Sequence, residues 1–267
     1  MRISITGTKA KRRALMIQIR DRELLAQLHL MRFADRNQIM AAAGFNSLTR
    51  INTRLLALHR AGLLRRFFVG LGPGKKAIYS LSPKGAQLIG LQARGPRRRQ
   101  NSFLVDFSVL HQLAVNDVYC NLRFKPIAVP GVRCTHWIAF TEPIAKEQSL
   151  IPDGYAEFST PRGIDGAFLE IDLGTEELKV WKEKARNYVH LAASGEFARQ
   201  FSPMRFRVLV LADSARRLEY IRSAVAEVTE KIFWFATLEE THGDKFYSRV
   251  WLRPKGSDKQ PLFEQSR

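Results

Sequence analysis

The positive charge of this chain is confined to its first part, and this asymmetry constrains its organisation more than any other feature. Residues 1–102 contain 21 lysines and arginines but only three acidic residues, Asp21, Glu23 and Asp35. Residues 103–267 contain 22 basic and 22 acidic residues, so they are neutral overall. A basic part joined to a neutral part predicts two domains, the first of which meets a polyanion. The 267 residues are ample for two ordinary domains.

Composition excludes several protein classes. The two cysteines, Cys120 and Cys134, form neither a disulfide framework nor a metal-finger spacing, which predicts a cytoplasmic protein. The chain has no apolar run of 18 residues, so we expect no membrane span and no membrane partner. Its start lacks the apolar core of an export signal. Residues 1–19 are predicted to form a basic arm, which either contacts nucleic acid or is simply solvated.

Residues 20–91 have the pattern of a helix-turn-helix followed by a hairpin. Periodicity and flanking turn residues predict helices over 21–33 (with Asp21 as N-cap), over 35–43 and from Asn46 or Ser47, strands over 64–69 and 77–81, and a further helix from Ser82. This order predicts an N-terminal winged helix-turn-helix domain, whose third helix is available to a major groove.

Double-stranded DNA is the partner that fits a basic winged helix. The residues expected to reach base edges lie on the third predicted helix: Arg50, Asn52, Thr53 and Arg54. Phosphate contacts are expected from the hairpin and from a basic linker over 92–102: Arg66, Lys75, Lys76, Arg97, Arg98 and Arg99. A solvated hinge is the alternative for the linker, and protein contact is the alternative for the domain. Winged-helix proteins often dimerise, so a homodimer stays open.

Residues 103–254 predict a mixed sheet flanked by helices, so the fold class is a two-domain α+β and α/β chain. The predicted elements are helices over 103–124, 176–193 and 215–228, and strands over 133–140, 150–158, 167–173, 204–212, 232–238 and 246–252. The nearly continuous apolar run over 204–212 is typical of a buried central strand. Residues 255–267 are predicted to form a polar tail.

Three carboxylates interrupt the apolar strands of this second domain. Asp153 follows Pro152 at the start of one strand, and Glu170 and Asp172 lie two residues apart in the next. Residues i and i+2 of a strand share one face, so Leu169 and Ile171 should face the core on the other side. If the two strands form a hairpin, Asp153 lies close to the other two acids. Clustered carboxylates repel unless a hard cation neutralises them, which predicts Mg²⁺ or Mn²⁺.

Pro152-Asp153 followed by Glu170-Ile171-Asp172 resembles the PD-(D/E)XK nuclease motif, and the order of elements is similar to the restriction-endonuclease-like core of that superfamily. The resemblance implies catalytic roles for Asp153, Glu170 and Asp172. It also implies a metal site formed by Asp153 and Glu170, with Asp117 on the first helix as an extra acid.

The last position of this motif is normally lysine, whereas here it is Asp172. A lysine on the following helix is therefore expected to supply the ammonium group: Lys184, Lys179 or Lys182. Lys184 would orient or deprotonate the attacking water, or contact phosphate. Asp172 would either add a metal ligand or form a salt bridge with Lys184. The structural alternative is that the acids form surface turns and a buried ion pair with the basic residues 179–186.

A longer set of motifs resembles the replication-relaxation family over roughly residues 20–215. The set comprises Ile151-Pro-Asp-Gly154, Leu169-Glu-Ile-Asp-Leu-Gly-Thr-Glu176, Lys184 and Tyr188, preceded by His111. The resemblance adds His111, Thr175 and Tyr188 as family-motif residues. It implies a plasmid or mobile element as the source and a role in DNA replication or mobilisation, without establishing cleavage.

The leading hypothesis is therefore a DNA-binding protein of plasmid replication or mobilisation whose nuclease-like domain hydrolyses DNA phosphodiesters with Mg²⁺ or Mn²⁺. One alternative is a catalytically inactive DNA-binding accessory factor or regulator. Another is the end-cleaving endonuclease subunit of a transposon. These hypotheses predict different protein partners, which belong to replication, mobilisation or transposition.

Overall fold

The computed structural model describes residues 15–70, 75–93, 107–144, 149–174 and 176–264. The chain forms two compact units, with the boundary between Leu104 and Val105. Most of the predicted basic arm and linker, including Arg97, Arg98 and Arg99, lies outside the described residues. None of the helices in the described ranges is long and apolar enough to cross a membrane.

The first unit combines helices with a three-stranded antiparallel sheet. Its elements in chain order are α1 (Ile19–Leu30), β1 (Ala34–Asp35), α2 (Arg36–Ala42), α3 (Leu48–Arg60), β2 (Leu64–Val69), β3 (Lys76–Leu81) and α4 (Pro83–Leu88). The strand order is β1-β3-β2, and β2 and β3 pair from Leu64 beside Leu81 to Val69 beside Lys76. Buried leucines of α1 and α3 and the aromatic Phe67 form its core.

The helices of this unit begin where their side chains can bind free backbone N–H groups. Ser47 caps α3 by accepting from the N–H of Arg50, as predicted. The prediction of Asp21 as the cap of α1 is wrong, because that helix begins at Ile19 with Gln18 as its cap. Asp21 instead occupies the third helical position, where its carboxylate accepts from the N–H of Gln18 at 2.6 Å.

The second unit is a five-stranded mixed sheet flanked by helices. Its elements are α5 (Phe107–Phe124), β4 (Arg133–Ile138), β5 (Gly154–Thr160), β6 (Gly163–Asp172), α6 (Leu178–Ala193), α7 (Glu196–Gln200), β7 (Phe206–Ala212), α8 (Ala215–Ala226) and β8 (Phe233–Thr237). The strand order is β4-β5-β6-β7-β8; the first three strands are antiparallel and the last three are parallel.

Strand β6 lies at the centre of this sheet and is buried on both of its faces. Leu169 and Ile171 belong to one hydrophobic core with residues of α5. Phe168 belongs to a second core, with residues of α6 and α8. The expectation that Leu169 and Ile171 face a core is confirmed. The carboxylates of Glu170 and Asp172 are nevertheless also buried, each with 1% of the residue exposed.

The end of the chain differs from the sequence-based prediction. Aromatic residues over 246–252 predicted a strand, but the structure has a 3₁₀ helix over Gly243–Tyr247 and isolated bridges at Trp251 and Leu252. Trp251 fills the core, and its indole N–H donates to the carbonyl of Phe246. Residues 255–264 also differ from the expected polar tail, because Leu262 and Phe263 are buried in the first core. Core aromatic residues therefore imitate a strand pattern here.

Candidate active site

The start of β5 and the end of β6 bring the predicted acids together. Gly154 pairs with Leu169, and the N–H of Asp153 donates to the carbonyl of Leu169 at 3.1 Å. The Asp153 carboxylate accepts from the N–H of Ile171 at 2.7 Å. The predicted hairpin is confirmed, and Asp153 lies beside the strand segment that carries Glu170.

His111 of α5 holds Asp153 from the other side. Its Nε2 lies 2.9 Å from the carbonyl oxygen of Ile171 and 3.2 Å from Oδ2 of Asp153. Burial lowers the pKa of His111, but the hydrogen bond and charge of Asp153 outweigh this effect and raise the pKa to about 9. The imidazole is therefore protonated at neutral pH and orients the Asp153 carboxylate. The sequence pointed to His111 only through the family resemblance.

We expect a His111→Gln substitution, in metal-free buffer, to destabilise the chain more at about pH 6 than at about pH 9.5. The folded pKa of His111 lies above its ordinary value of 6.5, so the stabilisation is complete below about pH 6.5 and is lost as the pH rises through about 9. Because the side chain is 33% exposed, the loss of stability should be about 1–2 kcal/mol, which is less than the full pKa shift would give.

Urea unfolding followed by tryptophan fluorescence measures this difference. His136→Gln, at an exposed position of β4, is the matched control. Equal losses of stability at both pH values in the His111 variant would contradict the assigned ion pair.

Glu170 is the buried acid of this site. Its Oε1 accepts from the Tyr188 hydroxyl at 2.6 Å, and its Oε2 accepts from Nζ of Lys184 at 2.9 Å. Burial raises the pKa of Glu170 to about 7, and the charge of Asp153 adds to this rise, although Lys184 and Tyr188 oppose it. Tyr188 is itself fully buried, so it both packs in the core and orients Glu170.

Lys184 is the lysine that reaches this site. Its Nζ lies 2.9 Å from Glu170 and 2.9 Å from Oε1 of Glu176. Burial lowers the pKa of Lys184, but the charges of Glu170 and Glu176 outweigh it and raise the pKa above its ordinary value. The other two candidate lysines are engaged elsewhere, since Lys182 pairs with Glu227 and Lys179 pairs with Glu177. We call Asp153, Glu170 and Glu176 the acid cluster.

Asp172 makes different contacts from those predicted. Both of its oxygens accept from the guanidinium of Arg217, each at 2.8 Å, and Oδ2 also accepts from the indole N–H of Trp181 at 2.8 Å. Burial raises the pKa of Asp172, but the hydrogen bonds of Arg217 and Trp181 outweigh it, so the pKa lies below its ordinary value. Asp172 therefore links β6 to α6 and α8, and its salt bridge is with Arg217 rather than Lys184.

Sequence reasoning missed Arg217. It lies in the first turn of α8, which begins at Ala215 directly after β7 ends at Ala212. Because β6 and β7 are parallel neighbours with Asp172 beside Ala212, the start of α8 falls next to Asp172. A search for the cation that a buried aspartate requires would have found Arg217, if the parallel pairing of these strands had been known.

The remaining predicted site residues lie apart from this cluster or outside the described residues. Asp117 has an exposed side chain on α5, six residues beyond His111, so the two do not share a helix face. Thr175 lies outside the described residues. Within the described ranges, no group of three or more His, Cys, Asp and Glu side chains is arranged to hold a metal ion. The protein therefore brings two predicted metal ligands together, Asp153 and Glu170.

In the first unit, α3 presents most of the predicted base-reading residues to solvent. Arg50, Asn52 and Thr53 have exposed side chains. Arg54 is placed differently, because its Nε donates to Oδ1 of Asp21 at 2.6 Å and its guanidinium also donates to the carbonyl of Met16. Since Asp21 is buried, this ion pair joins α3 to α1, and Arg54 is an anchor rather than a reader of bases.

The hairpin residues predicted to contact phosphate are found in three environments. Lys75 is exposed just before β3, and Lys76 is exposed but forms an ion pair with Asp35. Arg66 is partly buried, and its guanidinium lies 5.3 Å from the centre of the Phe68 ring. Arg50 and Lys75 are thus both exposed cations of the first unit.

The chain matches the model of a known protein family. The family model described as Replication-relaxation matches residues 25–203, which run from within α1 to the segment before β7 and include the acid cluster. No curated protein and no solved structure gives a match. The chain therefore belongs to the replication-relaxation family, and this membership indicates a role related to plasmid replication.

Proposed function

We propose that this chain binds double-stranded DNA through its first unit and hydrolyses DNA phosphodiesters at the acid cluster of its second unit. The observation that carries the cleavage proposal is the convergence of Asp153, Glu170 and Lys184 from two neighbouring strands and one helix. These are the residue types that the PD-(D/E)XK motif requires, with the lysine supplied by α6 instead of β6.

The first unit supports the binding proposal by its shape and charge. The order of three helices and a hairpin, with the strands in the order β1-β3-β2, supports the proposal of a winged helix-turn-helix. The exposed face of α3 carries Arg50, Asn52 and Thr53, which are side chains that bind phosphates and base edges.

The donor set of the second unit suits a Mg²⁺ or Mn²⁺ ion. Asp153 and Glu170 are hard oxygen donors, and Mg²⁺ commonly takes only one or two carboxylates while water and substrate phosphate complete its shell. The side chain of Asp153 is 19% exposed and that of Lys184 is 20% exposed, so a phosphate from solvent can approach both. When bound, the ion supplies a more acidic water molecule and offsets the charge that develops on the phosphate.

The other residues of the site position these groups. Tyr188 and His111 fix the orientations of Glu170 and Asp153 by hydrogen bonding. Lys184 holds its proton because two carboxylates raise its pKa, so it acts as a cation toward the phosphate rather than as a general base. Glu176 holds the Lys184 ammonium group beside Glu170.

The accessory-factor alternative also has an observation in its favour. The position of the motif lysine is held by Asp172, which is committed to Arg217, and no three-ligand group exists in the described part of the chain. A DNA-binding protein with an inactive nuclease fold would show these features. Incubating supercoiled plasmid with the protein and Mn²⁺ separates the two functions, because only the proposed enzyme nicks the DNA.

We expect Arg50→Gln combined with Lys75→Gln to weaken binding to random duplex DNA by at least about tenfold. The wild-type chain should show a steep decrease of affinity with salt, because several phosphates are neutralised. Removing two cations that displace counterions from the DNA should reduce the slope of log K against log salt by about 2. Fluorescence anisotropy of a labelled duplex measures both quantities.

The matched control removes two exposed cations elsewhere in the first unit, Arg22→Gln on α1 with Lys84→Gln on α4. It should leave the affinity within about twofold of the wild type. A flat salt dependence in the wild-type chain would refute DNA binding by this unit.

A further inference from the structure

A large open cavity lies in the second unit near the starts of the central strands, at the opposite end of β6 from the acid cluster. It has a volume of about 1440 Å³ and is lined by the first residues of β6, β7 and β8 and by residues from 244 to 264. Glu170 and Asp172 lie at the other end of β6. Asp165 in the cavity and Glu170 are five residues apart on β6, or about 17 Å in an extended strand. The cavity is therefore a separate site.

The cavity concentrates arginine in a unit whose sequence is neutral overall. The positive groups lining it are Arg162, Arg205, Arg207, Arg249 and Arg253, and the negative groups are Asp165, Asp244 and Glu264. Arg162 pairs with Glu264 at 2.8 Å, and Arg207 pairs with Asp165 at 3.1 Å. The other three arginines share the cavity with one further carboxylate, so its lining has an excess of positive charge.

Aromatic rings hold two of these guanidinium groups in place. Arg207 and Arg253 lie 5.2 Å and 4.7 Å from the centre of the Trp234 ring, and Arg207 also lies 5.4 Å from that of Phe263. Arg207 also donates to the carbonyl of Leu262. Guanidinium groups that are ordered in advance lose little conformational entropy when they bind an anion.

Burial lowers the pKa of Arg207, and the charge of Arg205 adds to this effect although Asp165 opposes it. Burial and the charge of Arg207 likewise lower the pKa of Arg253. These directions agree with the excess of positive charge in the lining. An anionic ligand would relieve the repulsion between neighbouring guanidinium groups.

The size of the cavity favours an extended polymer. Its volume exceeds the roughly 300–1,000 Å³ of ordinary small-molecule pockets. A site of this volume accommodates a few nucleotides of a single strand, whose unpaired bases are free to stack. Its phosphates bind guanidinium groups, and its bases stack on guanidinium planes and aromatic rings.

We propose that the cavity lined by Arg205, Arg207, Arg249, Arg253 and Trp234 binds a short stretch of single-stranded DNA. The identity of the ligand rests on the proposed DNA function, but the site differs from both the α3 surface and the acid cluster. A protein that acts on DNA during replication meets separated strands, and this cavity would hold one of them.

The test compares Arg205→Gln combined with Arg249→Gln in the full chain with the wild type. Both side chains are exposed, so their replacement should leave the fold intact. Arg199→Gln with Arg216→Gln is the matched control, since these residues are also exposed and do not line the cavity. Fluorescence anisotropy measures binding to labelled oligothymidylate and to a duplex over a range of salt concentrations.

We expect the cavity variant to bind the single strand at least about tenfold more weakly, with a salt slope smaller by about 1.4, while duplex affinity changes less than about twofold. Single-strand affinity equal to that of the control variant would overturn the proposal. So would equal competition by polyglutamate at the same charge concentration, which would identify an acidic protein segment as the ligand. If duplex binding fails but cavity-dependent single-strand binding persists, the α3 surface is refuted and the cavity stands.

Discussion

Glu170→Gln is expected to lower the rate of Mn²⁺-dependent DNA cleavage by at least about 10³-fold, or about 4 kcal/mol of activation free energy. The substitution keeps the shape of the side chain but removes one of the two carboxylates that would hold the proposed ion. The amide oxygen of glutamine can still accept from Tyr188 or Lys184, so the fold should persist. A single-turnover assay on a labelled duplex gives the rate.

Glu157→Gln is the matched control for this prediction. Glu157 is a buried carboxylate on β5 that accepts from the Tyr155 hydroxyl at 3.2 Å. It belongs neither to the acid cluster nor to the lining of the cavity at Trp234. Cleavage by the Glu157 variant should stay within about threefold of the wild type. Equal losses in both variants would show that the effect arises from the fold, and undiminished cleavage by Glu170→Gln would refute its role as a ligand.

Asp172→Ala is expected to lower the free energy of unfolding of the second unit by about 3–5 kcal/mol. It removes the carboxylate that both the Arg217 guanidinium and the buried Trp181 indole N–H bind, and it leaves Arg217 with the carbonyl of Glu176 as its acceptor in the described part of the chain. Arg217→Met in the same chain should recover part of the loss, because the uncompensated charge is then removed. All four tryptophans lie after residue 136, so tryptophan fluorescence in urea reports the unfolding of this unit.

The loss of unfolding free energy caused by Asp172→Ala should also depend on pH. The folded pKa of Asp172 lies below its ordinary value of 3.8, so its stabilisation is complete at pH values above this ordinary value. The stabilisation is lost as the pH falls through the folded pKa, and the difference between variant and wild type should shrink on acidification. A loss of unfolding free energy below about 1 kcal/mol for Asp172→Ala at neutral pH would contradict the buried ion pair.

The elements of this protein could be predicted well wherever periodicity and turn residues agree. Strand β2 is the segment 64–69 that was predicted, and Ser47 and Ser82 cap their helices as expected. The prediction failed where a tertiary interaction replaces a local signal. The segment 246–252 has the aromatic composition of a strand, but its backbone is largely irregular and its aromatic side chains are buried in the core.

The candidate site likewise has parts that local sequence signals predict and parts that only tertiary contacts determine. The hairpin that joins Asp153 to Glu170 could be predicted, because the spacing of the two motifs fits two adjacent strands. The choice of Lys184 among three lysines could not, because it depends on which face of α6 lies against β6. Arg54 and Arg217 were misjudged or missed because each pairs with a buried aspartate from another element. Sequence spacing gives no measure of such long-range ion pairs.

The measurement that we would make is the conversion of supercoiled plasmid to its nicked form by the wild-type chain in Mg²⁺ and in Mn²⁺, with EDTA as the control. The site described above predicts nicking that requires the metal and that disappears when Asp153 is replaced with alanine. Plasmid that is bound by the protein but remains supercoiled in both metals would contradict the nuclease proposal. It would identify the chain as a DNA-binding accessory factor whose acid cluster only stabilises the fold.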